Sequence, residues 1–401
     1  MRSLTSWDDV EVTSRSARAA ALVERVPALA ERFSSRAGES ERLTTLPADL
    51  VAEAKAAGVF TMALPKSLGG LEVEPATLVE VVEELSRADG SAGWCTGIGN
   101  ATAFFAWLDP GIAADLLAGQ AGISVAASFS PIGRLTPTAP GRFRLAGTWK
   151  FMSGCRHADW VFLGGHVMAG DTPRLTGGRP DWRLAVLPPD QVEIIDTWDT
   201  SGLRATGSHD LAVRGATIPD EHTTVPFCQP APHDGPLWRL PFFTLIGILL
   251  AGHPLGVARR ALDEFTALAR TKTRATATTP IAHEDDAQVA LTAAEGDLQS
   301  ARSFVFDTLG DLWTTACRGD TPDVEARARF LLSTLQAMRA ARNAVNTAYT
   351  LAGATAVYTD HPLQRCFRDL HVAAQHVGFS PTAIKRYAKT RFELEVPTHL
   401  F

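Results

Sequence analysis

The spacing of hydrophobic positions changes twice along the chain and predicts three segments. Up to about residue 120 the period is helical. Arg15 to Arg36 is rich in Ala, Glu and Arg with spaced Leu and Val, and a second helix is expected from Pro47 to just before Gly58. ALPKSLGGLEVEP reads as a loop, and the helical pattern resumes from Ala76 to Arg87 with Leu78, Val81, Val82 and Leu85 on one face. From 121 to about 215 the period shortens towards two. ISVAASF, RFRLAGTWKFMSG, WVFLGGHV, RLAVLPP, VEIIDTW and HDLAVRGATIP each read as a strand, which predicts a small antiparallel sandwich or barrel. A Pro-rich linker covers 216–235. The helical period then returns, with Phe330, Leu331, Leu335, Met338, Ala341, Val345, Ala348 and Leu351 in one stripe. Breaks at GDTPD and TDHP leave room for four helices of about 25 to 35 residues, as in a four-helix bundle. The expected organisation is an N-terminal helical domain over 1–120, a central β domain with its linker over 121–235, and a C-terminal four-helix bundle over 236–401. It is a mainly α chain with a central β domain.

Composition changes this picture little. Of 401 residues, 45% are hydrophobic and 20% charged, the usual range for globular proteins. The formal net charge is −6 and no basic stripe occurs, so no nucleic-acid partner is expected. The longest apolar run, 242–251, contains Gly247 and falls short of the roughly 20 residues that a membrane helix needs, so no membrane association is expected. MRSLTSWDDVEV lacks the apolar core of an export signal. Five scattered cysteines (Cys95, Cys155, Cys228, Cys317, Cys366) form no CxxC. They read as free thiols in a reducing cytoplasm.

Seven stretches carry more information: LPADLVAEAKAAGVF, PKSLGGLEVEP, ELSRADGSAGW, GTWKFMSGCRHADWVFLGG, GLRATGSHDLAV, LAGHPLGVARRAL and LQRCFRDLHVAAQH. In this order, and over almost the whole chain, they resemble the acyl-CoA dehydrogenase superfamily. The resemblance implies an acyl-CoA dehydrogenase-like fold, flavin binding and a homotetramer whose bundles pack together. Fold alone does not give the reaction. The dehydrogenases of that superfamily remove a proton alpha to a thioester carbonyl with a glutamate at one of two places. One lies a few positions after an Arg-Asp pair, here Arg368-Asp369, where the matching residue is Val377. The other lies ahead of a Leu-Ala-Gly stretch, here Leu250-Ala251-Gly252, where the match falls near Ile246; no acid occurs from Pro241 to Val257. An aliphatic side chain has no lone pair to take a proton, and general-base catalysis contributes about 10²–10⁴-fold. Thioester oxidation by that route is therefore not expected.

The chain is more similar to the flavin-dependent monooxygenases of the superfamily, the group D branch of aromatic hydroxylases and nitrososynthases. These take reduced FMN or FAD from a separate flavin reductase, use O2 to oxygenate a small aromatic or amine substrate, and place a histidine near the end of the last bundle helix. RDLHVAAQH resembles that site, with His376 at the histidine's position, and ASFSPIGR over 127–134 resembles the same branch. The resemblance implies flavin contacts from Ser128 and Ser153, with Phe129 supplying backbone groups, Trp149 as a packing wall and Ser208 in the GLRATGSHD segment beside Thr206. It makes Trp94, Asn100 and Arg204 candidates for the substrate pocket.

A histidine titrates near pH 6.5, so His376 can act as a base on a phenol or amine, or can hold a proton and hydrogen-bond the activated oxygen; the sequence does not separate these roles. His371 lies five residues earlier, about 140° around a helix, a spacing unsuited to a two-histidine metal site, and no metal is expected. Two departures keep other readings open. Met152 stands where relatives carry Ser or Thr, and RTKTRATATTP has Arg270, Lys272 and Arg274 but lacks the Phe-Gly word that accompanies the FAD-binding arginine. The alternatives are an acyl-CoA dehydrogenase or oxidase with a displaced base, and a flavin-free protein of this fold that binds or cyclises a biosynthetic intermediate.

Overall fold

The computed structural model describes residues 16–227 and 230–397; the stretch read above for an export signal, and Cys228, lie outside the described residues. Among the described residues six α-helices come first: α1 (Ala17–Ser35), α2 (Ala37–Leu43), α3 (Ala48–Ala57), α4 (Pro75–Ala88), α5 (Gly90–Gly99) and α6 (Pro110–Leu117). Their ends follow local chemistry. Pro47 caps α3, and Gly58 closes it at φ 83, a left-handed conformation that costs glycine little. Pro75 starts α4, where its missing N–H is harmless. The Asp89 side chain accepts the Ala92 N–H, so α5 begins with only Asp89 between it and α4.

The strands are β1 (Val125–Ala139), β2 (Arg142–Trp149), β3 (Trp160–Ala169), the two-residue β4 (Thr172–Pro173), β5 (Leu175–Thr176) and β6 (Arg179–Pro180), then β7 (Trp182–Leu187), β8 (Glu193–Ile195), β9 (Asp210–Pro219) and β10 (Thr223–Thr224). The main sheet runs β10-β7-β3-β1-β2-β9-β8. It is mixed, not the antiparallel sandwich expected from the short strands. β1 and β3 pair in parallel, Val125 against Trp160 and Leu135 against Val167, because β2 takes the other edge of β1 and the chain crosses back. The sheet has its own apolar core of Leu135, Leu145, Trp149, Val161, Leu163, Leu211 and neighbours.

Helices return as α7 (Phe242–Ala269), α8 (Asp285–Cys317), α9 (Val324–Ala352), α10 (Pro362–Ala373) and α11 (Pro381–Arg391). Three match the expected length. The fourth is replaced by the short α10 and α11, parted by an extended residue and a single 3₁₀ turn. α7 also corrects the reading of 242–251 as too short an apolar run. Its helix continues through His253, Pro254 and Gly256, and it is long and apolar enough to cross a membrane, but 78% of its most apolar window is buried inside the fold. It is the central helix of a core that α1, α4 and α5 share with α9 and α10. The two helical segments thus build one core around an inserted sheet.

Candidate active site

His376 does not lie on a helix. The chain leaves α10 after Ala373, and His376 is extended (φ −62, ψ 142) at the start of the Val377–Phe379 turn. Its imidazole Nδ1 accepts the Gly378 main-chain N–H at 3.1 Å. The ring is partly buried and stands edge-on to Trp94 of α5, centroids 5.4 Å apart. Burial lowers its pKa to about 4, with no charged group contributing. A second imidazole, His253 of α7, packs edge-on to Trp94 at 5.2 Å. It is 1% exposed, burial pushes it down to about 3, and Nδ1 is 3.2 Å from the Ser86 hydroxyl while Nε2 has no hydrogen-bond partner. His253 was not read as a site residue, although LAGHPLG contains it; nothing in one sequence distinguishes it from a core histidine.

Trp94 also starts a chain of hydroxyl groups. Its indole N–H donates to Ser153 Oγ (3.1 Å), Ser153 Oγ lies 2.7 Å from Ser208 Oγ, and Ser208 Oγ lies 2.6 Å from Thr206 Oγ1. Thr206 donates to the Leu203 carbonyl at 2.8 Å. An indole N–H can only donate and a carbonyl can only accept, so the direction is fixed: Trp94 to Ser153 to Ser208 to Thr206 to Leu203. Both serine protons point along the relay, and each serine keeps a lone pair for an outside donor. The far end is anchored by Asp369 of α10, whose carboxylate accepts the Leu203 N–H at 2.6 Å. Thr206→Val keeps the shape but leaves the buried Ser208 hydroxyl without its acceptor. It is expected to lower stability by about 1–3 kcal/mol in denaturant unfolding, while Thr206→Ser restores most of the loss.

The structure therefore brings together Trp94, Ser153, Ser208 and His376. It places the other expected site residues elsewhere. Trp149 is fully buried in the sheet core, its indole N–H held by the Gly164 carbonyl at 2.8 Å, and Gly133 leaves the space that the ring fills; it forms no wall of an open site. Asn100 is fully buried and makes three of its four hydrogen bonds inside the fold: it donates to the Val59 and Thr96 carbonyls and accepts from the Ala63 N–H, so it pins the α3–α4 loop to α5. Phe129 sits in an aromatic cluster with Phe104, Phe242 and Phe243. Ser128, before it, lies partly exposed on β1 next to an irregularity in the pairing with β3. Arg204 donates to the Thr200 carbonyl at 2.7 Å and lines a different cavity, about 820 Å³, between α1, α2, α7 and α10. Glu41 in that cavity holds Arg365 and Arg368, so it is a groove of internally paired charges and not the space beside His376. Lys272 and Arg274 of RTKTRATATTP hold the carbonyls of Ala352 and Leu351 at the end of α9. Phe151, two residues after Trp149, is 70% exposed, at φ 62, and edge-on to Trp198. A left-handed backbone is strained for an aromatic residue and is maintained only where surroundings enforce it. Among the described residues, no three His, Cys, Asp or Glu side chains cluster as metal ligands.

Comparison with known proteins gives the family. Residues 16–109 match the acyl-CoA dehydrogenase N-terminal domain and residues 248–381 match the C-terminal domain. The chain is 35% identical to an indole-3-acetate monooxygenase of Pseudomonas putida, over 86% of this chain and 87% of that protein. It is 26% identical to the flavin-dependent monooxygenase oxygenase subunit HsaA of Rhodococcus jostii, over 93% and 99% of the two chains. The solved structure of XiaF from Streptomyces in complex with FADH2 and glycerol superposes with a TM-score of 0.87 at 25% identity, over 94% and 97% of the chains. The chain belongs to the acyl-CoA dehydrogenase family, in its branch of flavin-dependent monooxygenases.

Proposed function

We propose that this chain is the oxygenase component of a two-component monooxygenase, taking reduced FMN or FAD from a separate reductase and using O2 to hydroxylate a small aromatic substrate, at the site formed by His376, Trp94, Ser153 and Ser208. The observation that carries the reading is the pairing of His376 with Trp94 in a place without a carboxylate base. Val377, at the first position for a dehydrogenase glutamate, is 71% exposed and inert. A displaced carboxylate beside His376 would raise its proton affinity, yet burial is the only influence on it. The residues present fit a reduced flavin: the two relay serines keep lone pairs as acceptors, and the reduced ring carries N–H donors. When bound, the flavin supplies the electrons and the activated oxygen. The protein's residues orient the ring, keep water out through Trp94 and its buried neighbours, and present an imidazole to the reacting oxygen. The relatives' names favour an aromatic substrate over an amine; 35% identity to an indole-3-acetate monooxygenase makes an aromatic acid the first to test.

A homotetramer is part of the same reading. Val357, Tyr358, Val377, Ile384, Phe392 and Leu394 are large apolar side chains left exposed by the C-terminal elements, as expected of a surface covered on assembly. We also place the protein in the cytoplasm, where a reductase would supply the flavin.

The test is oxygen incorporation from ¹⁸O2 into a panel of phenols, indoles and aryl acids, driven by NADH, a flavin reductase and FMN or FAD. A product heavier by one labelled oxygen, formed only with the reductase present, is the expected result. Direct bleaching of bound flavin by an acyl-CoA without reductase would establish the dehydrogenase reading instead. Failure to bind flavin in either redox state would establish the flavin-free one.

A further inference from the structure

The hydrogen bond at His376 Nδ1 decides which of its two chemical roles is available. Nδ1 faces the Gly378 N–H at 3.1 Å. A main-chain N–H can only donate, so Nδ1 must carry its lone pair. A neutral imidazole with a lone pair on Nδ1 has its proton on Nε2. The contact is built in by the backbone: His376 is the N-cap of the turn, and its side chain takes the orphan N–H two residues on, as Asn or Asp does at helix starts. The Nδ1–H tautomer would set two donors against each other at this distance and leave the Gly378 N–H unsatisfied. The ring also packs edge-on with Trp94, whose own position is fixed by its bond to Ser153 and by His253. A ring flip, which would put Cδ2 where Nδ1 stands, keeps the Trp94 contact but loses the Gly378 hydrogen bond. The groups seen against it, the rings of Trp94 and Phe379 and the Gly378 main chain, are uncharged. The other imidazole against Trp94, His253, is itself kept neutral by burial.

We propose that His376 acts as a neutral hydrogen-bond donor through Nε2, not as a proton acceptor, and that the Gly378 main-chain N–H is the group that fixes this tautomer. The inference rests on the site assignment above and adds a role to it. A base at Nε2 needs a lone pair there, and this ring has a proton. Donation from Nε2 stabilises negative charge as it develops on the reacting oxygen, in the manner of an oxyanion-hole donor, and the ring ends the turnover in the state in which it began. Removing the proton of a phenolic substrate then falls to another acceptor.

The test has a spectroscopic and a kinetic arm. Two-bond nitrogen–proton spectra of the flavin-free protein, with ¹⁵N-labelled histidine and His376 assigned by its loss in His376→Gln, should show Nε2 protonated and Nδ1 bare from pH 8 to about 5.5. A proton on Nδ1 would overturn the proposal, whatever the activity. In the reductase-coupled assay, His376→Gln keeps an N–H donor and is expected to stay within about 10-fold of wild-type turnover. His376→Leu is expected to lose about 10²–10³-fold, the effect of deleting one such donor. Equal loss in both variants would mean that the lone pair does the work, and the proposal fails while the site assignment stands. Wild-type turnover in both would remove His376 from the reacting centre, and the site assignment falls with the proposal.

Discussion

Gly256→Ala is expected to destabilise the protein by about 3 kcal/mol or more, against the usual sign for such a change. In an open helix, alanine in place of glycine stabilises by about 1 kcal/mol, because it restricts the unfolded chain. α7 reverses this, because Gly252 and Gly256 stand one turn apart on the face that meets α4. A Cβ on Gly256 would lie 2.0 Å from the Glu83 carbonyl oxygen and 2.7 Å from Ser86 Cβ, and one on Gly252 would lie 2.3 Å from the Val79 carbonyl oxygen. These neighbours are main chain or the root of a side chain, so relief requires moving one helix off the other. The loosened contact includes Leu78, Val82, Leu249 and Leu255 of the shared core and the Ser86–His253 pair behind Trp94. Gly296 and Gly310 on α8 are internal controls: nothing lies within 4 Å of a Cβ on either. Alanine there should raise the melting temperature while Gly256→Ala lowers it, as read by circular dichroism or calorimetry. A rise at Gly256 would mean that α4 and α7 do not pack so closely.

Asp369→Ala is expected to have the second large effect, and Asp369→Asn to spare most of it. Asp369 is 2% exposed. Burial first, then the nearby charge of Asp89, raises its carboxyl to about 7. Its oxygen holds the Leu203 N–H, and Leu203 is itself in a left-handed conformation at φ 50, so the anchor keeps a strained residue in place. Leu203 supplies the carbonyl that ends the hydroxyl relay. Alanine leaves that N–H unpaired and frees the 199–208 loop; a loss of about 2–4 kcal/mol is expected, with weaker binding of reduced flavin in anaerobic titration. Asparagine keeps the acceptor oxygen. The sign of the pH dependence follows from the raised carboxyl. Between the unfolded value near 3.8 and the native value near 7, the native state holds a proton that the unfolded state has released, so this group favours the fold progressively as pH falls from about 7 to about 4. Above pH 7 the buried charge is a cost that asparagine lacks. The melting temperature of Asp369→Asn relative to wild type should therefore climb between pH 5 and pH 8. A flat difference across that range would show that Asp369 does not titrate there.

Much of the fold was legible because it is written in neighbouring residues. Period, Pro75, Gly58 and the turn words place α1, α3, α4 and the long strands with little error. The parallel pairing of β1 with β3 was not legible, since strand period is the same in either direction and pairing partners lie some 35 residues apart. His376 was found from a motif, yet its secondary structure was misread: RDLHVAAQH has helical composition up to the point where the extended conformation of His376 interrupts it. The relay joins Trp94, Ser153 and Ser208 across separations of 59 and 55 residues, which no local pattern encodes, although each residue lies in a stretch that the family resemblance had marked. Asn100 and Trp149 failed for the opposite reason. Both are polar or aromatic residues near marked words, and a sequence does not reveal that a side chain's hydrogen bonds are already taken inside the fold.

The shared helical core has a consequence for synthesis. α4 ends at residue 88 and the helix that covers its apolar face, α7, begins at 242. A ribosome adding about 5–20 residues per second needs on the order of 8–30 s to cross that interval. During that time Leu78, Val82 and Leu85 wait uncovered while the sheet, which has a core of its own, emerges and can close first. The nascent chain thus exposes a sticky amino-terminal half for many times the period that a hairpin takes to form, and is a natural client for a chaperone that shields it until its carboxyl-terminal partner arrives.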